Sequence, residues 1–261
     1  MLILRTILRL TRLDSSMLAF FAVFLPLMVR TGNLAQSLGR AIPLLFIFMC
    51  TFIANDLDDV EKDRVNHPDR PLPAGYITPA FAAILYFTCL GLALFSTRHY
   101  VAPGSAFLYY ALFVLFISYG YVVEWLPGLK APYVAAVTTI PVLIVATLYP
   151  NEARLYVAAA SIFFLVIGRE ICMDIRDRLG DAISFMHRFR PTRLAVVGFF
   201  LQLVGLLLLA SQIRGRGDTV ALLAMTLVLA LSGVYWFKSS RYRLAIIVMK
   251  LQWFVGLYFL T

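Results

Sequence analysis

The sequence predicts an all-α protein of about nine membrane-spanning helices, and three observations carry the prediction. Of its 261 residues, 61% are hydrophobic and only 14% charged, with a mean hydropathy of +0.85, far outside the range of water-soluble domains. Apolar runs recur along the whole chain, near 17–30, 41–54, 79–96, 105–125, 131–149, 155–171, 194–213, 219–237 and 244–260. The charge gathers between them, as it must when an ionised side chain at mid-bilayer costs roughly 2.5–3.5 kcal/mol.

The opening MLILRTILRLTRLD sets Arg5, Arg9 and Arg12 among leucines and isoleucines and reads as a basic amphipathic helix lying on the membrane surface. It has no small-residue cleavage site before the first long run, so a cleaved signal peptide is not expected. The runs at 17–30 and 41–54 follow as the first two spans. Both are shorter than the roughly 20 residues that a perpendicular helix needs, so their helices extend into flanking polar residues or lie obliquely. A loop at 55–78 then carries most of the acidic side chains of the first half. Four further spans lead to a second charge-rich loop, 169–193, and the last three spans complete the chain.

Of the 23 Lys and Arg residues, Arg30, Arg40, Arg98, Arg154, Arg214 and Arg216 fall on one side of the spans. Lys250 falls inside the last span, and the remaining 16 share the side of the N-terminus. The positive-inside rule makes that side cytoplasmic. The expectation is one membrane domain over residues 1–261, multi-pass in the inner (cytoplasmic) membrane and embedded in the lipid bilayer. Its N-terminus and both charge-rich loops then face the cytoplasm.

The net charge of +9 is dispersed between spans, without a zinc-finger, RNA-binding or basic-zipper pattern, so no nucleic acid partner is expected. Cys50, Cys89 and Cys172 are too widely spaced for a disulfide framework or a thiolate metal site. His67, His99 and His187 fall in three loops on both sides of the membrane, which argues against a shared histidine site. No G-x-S-x-G, P-loop or H-E-x-x-H pattern supports acyl transfer, nucleotide hydrolysis or zinc chemistry. Oligomeric state is not encoded in any of these patterns.

Within NDLDDVEKDRVNHPDRPLPAG, Asp56, Asp59 and Asp63 stand at i, i+3 and i+7, a spacing that puts three carboxylates on one face of a continuous helix. The spacing returns in GREICMDIRDRLGD as Asp174, Asp177 and Asp181, again at the cytoplasmic end of an apolar span. One such run alone reads as a solvated helix end, and its repetition at an equivalent end argues for a site. Six carboxylates converging on a shared cavity stay ionised only beside cations. Hard oxygen ligands with room for water and phosphate suit Mg²⁺, which commonly bridges one or two carboxylates to a substrate phosphate. The ligand that completes such a site is a diphosphate. Arg64 and Arg70 beside the first cluster, and Arg176 and Arg178 within the second, supply donors for its oxygens. Arg178 also fits as an i, i+4 partner of Asp174, whereas Arg70, in extended chain before Pro71, is better placed as a ligand contact.

These residues resemble the UbiA superfamily of intramembrane prenyltransferases. Its first motif, N-D-x-x-D-x-x-x-D, stands here as Asn55, Asp56, Asp59 and Asp63, and its second, D-x-x-D-x-x-x-D, as Asp174, Asp177 and Asp181. LRLTRLDSSMLAFF is similar to the family's lead into its first helix, so the resemblance covers nearly the whole chain. GREICMDIRDRLGD and DRPLPAG look closest to the digeranylgeranylglyceryl phosphate synthase and chlorophyll synthase branches. The family often carries Y-S-x-x-L-K and an Asn after its fourth helix. Here YGYVVEWLPGLKAPY puts Glu124 at the Lys and Ala131 at the Asn, with Lys130 near enough to serve.

The resemblance implies a UbiA-type bundle with a cytoplasmic-side active-site cavity. It assigns Asp56, Asp59, Asp63, Asp174, Asp177 and Asp181 as catalytic ligands of Mg²⁺, and Asn55, Arg64, Arg70 and Lys130 as diphosphate contacts. The implied reaction moves a prenyl group from a polyprenyl diphosphate to a lipophilic aromatic or hydroxyl acceptor, with release of diphosphate. Ionisation would form an allylic cation in a water-free apolar site. Trapping by a double bond of its own tail would instead make a membrane terpene cyclase. A cation or phosphate transporter is the alternative of another class. It needs ionisable groups through the membrane, whereas both clusters share one face and Lys250 is almost the only charge deep in a span.

Overall fold

The protein is described by a computed structural model over residues 2–177, 189–238 and 241–261, and every regular element among the described residues is helical. A short helix α1 (Leu2–Leu10) leads into α2 (Leu13–Thr31) and α3 (Leu34–Asp58). The short α4 (Val60–Asn66) precedes α5 (Pro79–Tyr100) and α6 (Pro103–Trp125). Then come α7 (Lys130–Leu148), α8 (Ala153–Arg176), α9 (Pro191–Ala210), α10 (Arg216–Gly233) and α11 (Tyr242–Gly256). Leaving aside α1 and α4, nine helical stretches among the described residues are long and apolar enough to cross a membrane, the last two running on past α10 and α11 as Arg216–Phe237 and Tyr242–Leu260.

The helices outrun the apolar runs that announce them. The run at 41–54 lies inside the 25-residue α3, because polar residues at either end continue the helix. Local chemistry sets its start: Gly32 takes the left-handed conformation (φ 63°) that closes α2, and the Asn33 side chain then accepts from the Gln36 N–H at 3.0 Å. Thr78 caps α5 in the same way through Phe81 N–H, with Pro79 in the first turn. Large apolar side chains such as Phe87, Phe107, Ile117, Phe200 and Leu227 are exposed, the expected pattern where the surrounding solvent is hydrocarbon.

The described chain forms two compact units, the first spanning Met1–Gly120 and the second beginning at Tyr121, within α6. In the first unit α3 is the hub, packed on α2 and α5 through fully buried Leu44, Ile47 and Ile53. The Tyr109 hydroxyl donates to the Arg40 carbonyl at 2.7 Å, and Phe116 meets Phe48 edge-on, which fastens α6 to α3.

In the second unit α8 packs on α7 and α9, and α10 on α11. The α8–α9 contact is backbone to backbone: a Cβ at Gly198 would stand 2.8 Å from the Gly168 carbonyl. The Ser161 hydroxyl donates to the Gly205 carbonyl at 2.7 Å across the same seam. Small residues let membrane helices approach closely enough for dispersion and such bonds to hold them. At the start of α8, Arg154 pairs with Asp218 of α10 at 2.8 Å and lies over the Phe259 ring.

Candidate functional site

The first acidic motif sits at the end of α3, where the helix breaks. Asp59 has φ −97° and ψ 12°, caps α3 through its N–H to the Asn55 carbonyl, and starts α4. The expectation of one continuous helical face is therefore corrected: the motif turns a corner at its middle residue, and Asp56 and Asp63 are buried on either side of it. Both are reached by Arg70, whose Nη1 stands 2.5 Å from Asp63 Oδ2 and 3.4 Å from Asp56 Oδ1. Burial pushes the Asp63 carboxyl above the ordinary carboxylate range, and the Arg70 guanidinium pulls it back. Asp59 is more open. It accepts from the Asn55 amide at 3.1 Å and from Lys62 at 2.9 Å.

Arg64, expected beside the diphosphate, is not brought into this group. Its guanidinium faces outward and pairs with exposed Glu61. Asp56 is reached instead by a residue that sequence reasoning assigned to a surface helix. Arg12 lies between α1 and α2 and starts α2 at φ 41°, a left-handed conformation that costs a non-glycine residue of order 1–3 kcal/mol. The turn directs its guanidinium to Asp56 Oδ1 at 2.5 Å and over the Phe52 ring at 5.0 Å. Arg5, Arg9 and Arg12 share one amphipathic pattern, so nothing in the spacing separates Arg12 from the others. Arg9 pairs with Asp69 at 3.0 Å and ties α1 to the segment that carries Arg70.

The second motif repeats the geometry in the second unit. Asp177 has φ −89° and ψ 9° and caps α8 through its N–H to the Met173 carbonyl. The middle aspartate of each motif thus ends a spanning helix in the same bridge-region conformation. Asp174, buried like Asp56, is 2.5 Å from Lys130 Nζ at the start of α7. Asp177 is held by its neighbour Arg176 through both carboxylate oxygens. Glu124 is exposed on α6 and Ala131 is buried, so Lys130 is the basic residue that this connection offers the site. Asp181 and Arg178 lie outside the described residues.

Both clusters consist of hard oxygen donors flanked by cations, which fits Mg²⁺. Among the described residues no three acidic, histidine or cysteine side chains converge on one point.

A helical membrane protein with a buried aspartate and a cation at the end of two spanning helices defines a narrow class, and the sequence places the chain within it. The profile of the UbiA prenyltransferase family matches residues 15–255, and the chain belongs to that family. It is 30% identical over 181 residues to digeranylgeranylglyceryl phosphate synthase of Methanoculleus marisnigri, covering 67% of this chain and 63% of the relative. It is 31% identical over 185 residues to the synthase of the same name in Thermococcus gammatolerans, covering 68% and 65%. The alignments thus span just under two thirds of these relatives' lengths. The fold is shared with a solved structure concerning digeranylgeranylglyceryl phosphate synthase, at TM-score 0.68 and 18% identity over 98% of each chain. It is shared too with a UbiA homologue from Archaeoglobus fulgidus bound to GPP and Mg²⁺, at TM-score 0.60 and 18% identity, covering 98% of this chain and 99% of that one.

Proposed function

We propose that the protein is a Mg²⁺-dependent intramembrane prenyltransferase that moves a prenyl group from a polyprenyl diphosphate to a lipophilic acceptor and releases diphosphate. The observation that carries this reading is the matched pair of buried aspartates, Asp56 with Arg12 and Arg70, and Asp174 with Lys130. Each pair is a carboxylate whose cation stands ready for an anion. Relatives named for a glyceryl phosphate product favour a hydroxyl acceptor over an aromatic one, and transfer over cyclisation.

In this reading the six aspartates hold the metal, and Arg70, Lys130 and Asn55 turn to the diphosphate oxygens when the donor arrives. Arg12 joins them. Bound there, Mg²⁺ supplies the counter-charge that makes diphosphate a good leaving group. Arg70 and Lys130 each trade a carboxylate for a phosphate oxygen, so their charge remains paired throughout. The apolar helices exclude water from the allylic carbon. The proposed placement is the inner membrane, with the N-terminus and both acidic segments cytoplasmic.

The test is purified protein in detergent with Mg²⁺, a panel of prenyl diphosphates, and glyceryl phosphate or aromatic acceptors, with products read by mass spectrometry. Transfer to a hydroxyl acceptor is expected, abolished by chelation and restored by Mg²⁺. Full turnover in excess chelator would remove the metal from the reading. Phosphate or cation flux across liposomes without product would replace the enzyme by a transporter.

A further inference from the structure

Resting on that reading, we propose that Glu170 is the group that takes the proton from the acceptor's hydroxyl. It is a carboxylate inside a spanning helix, buried to 4% exposure, in α8. Ionisable side chains so placed are retained at a cost, and they mark sites of proton or ion handling.

Its orientation follows from the packing of α8. A Cβ at Gly168 would run into Gly198 and Gln202 of α9, and the Cys172 Sγ lies against Gly198, so Gly168 and Cys172 face α9. At 3.6 residues per turn, Glu170 and Asp174 stand on the opposite side of the helix, one above the other. That is the side from which Lys130 reaches Asp174. Four residues of helix place Glu170 about 6 Å deeper in the span than Asp174. If Asp174 marks the level of the donor's diphosphate, Glu170 lies at the level of the carbon from which diphosphate departs and of the oxygen that attacks it.

The side chain is prepared for that task. Arg169 Nη2 donates to Oε1 at 2.6 Å, which fixes the orientation of the carboxylate. Among the described residues Oε2 accepts no further hydrogen bond, so one oxygen is held and the other is available. In the step, a lone pair of the acceptor oxygen forms the new bond to the allylic carbon. The carbon–oxygen bond to diphosphate breaks, with its electron pair leaving on diphosphate. The proton of the acceptor hydroxyl passes to Oε2 of Glu170.

The experiment separates ionisation from capture. A donor carrying ¹⁸O in its bridging position exchanges the label into non-bridging positions whenever ionisation reverses, with or without an acceptor. Donor affinity is measured separately by calorimetry in the presence of Mg²⁺. For Glu170→Gln, transfer is expected to fall 10²- to 10⁴-fold, the usual contribution of a general base. Exchange and donor affinity should stay within about twofold, far below that range. Glu170→Asp should recover part of the transfer. Transfer within threefold of wild type overturns the proposal, as does a parallel loss of exchange and donor binding. If the Gln variant does not fold, Glu170→Asp decides: reduced transfer with intact exchange supports the proposal, and any other pattern overturns it. No exchange in the wild-type protein overturns the donor reading and this one with it, whereas loss confined to the variants overturns this one alone.

Discussion

Replacing Lys130 by Met leaves Asp174 as a buried carboxylate without the cation that stands 2.5 Å from it. The Asp174 side chain is 4% exposed and that of Lys130 26%, so the carboxylate loses this cation in a place water reaches poorly. Breaking a buried pair from one side costs about 3–5 kcal/mol, and the partial exposure of Lys130 sets the expectation at the low end, about 3 kcal/mol. At roughly 2–4 °C per kcal/mol for a chain of this length, the midpoint of thermal unfolding in detergent should drop by about 6–12 °C. Adding Asp174→Asn removes the charge that Lys130 faced and should return stability to within about 1 kcal/mol of wild type. On the proposed function turnover should not return, because the double variant lacks both a proposed metal ligand and a proposed diphosphate contact. Circular dichroism melts of the three proteins, beside a prenyl transfer assay, read both quantities. A shift below about 2 °C for Lys130→Met would show a solvated contact worth under about 1 kcal/mol, and the reasoning from burial would fail.

Three further outcomes are expected. Asp59→Asn and Asp177→Asn should each remove most turnover, and their combination should add little, as for groups acting as a unit; exposed Asp58→Asn and Glu61→Gln should stay near wild type in rate and Mg²⁺ dependence. Additive or silent effects in a steady-state assay would separate the two motifs. Arg12→Gln should lower turnover about ten- to a hundredfold, from loss of a charge-assisted bond worth about 1.5–3 kcal/mol, and an unchanged rate would return Arg12 to the membrane surface. Gly198→Leu should destabilise the second unit by about 2–3 kcal/mol by forcing α9 off the Gly168 carbonyl, while Gly91→Ala, in open space within α5, should not destabilise in the same melts.

Much of the candidate site was legible because its chemistry is expensive. Asp56, Asp63 and Asp174 stand out in a greasy chain, and the repeated spacing marks Asp59 and Asp177 as their companions. Arg70 was legible from the proline that follows it, and Lys130 from its position between two spans. Arg64 turns outward to Glu61 and Arg12 inward to Asp56, which the sequence did not distinguish. Both are arginines near membrane ends, and a linear pattern carries no information on which one the chain turns inward. Glu170 was hidden in the same way, counted with the charged end of α8 although it lies a turn inside it.

The sequence by itself determined the class of the fold. Burying apolar surface in a bilayer requires every backbone group to be satisfied within its own segment, so nine apolar runs of this length had to become helices. It also determined the residue types of the chemistry, since carboxylates are retained in such a chain only where cations or phosphates repay their desolvation. The tertiary structure alone decided where each motif bends, because the end of a helix depends on a cap and a φ/ψ choice that spacing does not encode. It alone decided that Arg12 meets Asp56 and that Arg64 does not. Those pairings arise from contacts between segments tens of residues apart, whose geometry is set by how α1, α2 and α3 pack and not by any local periodicity.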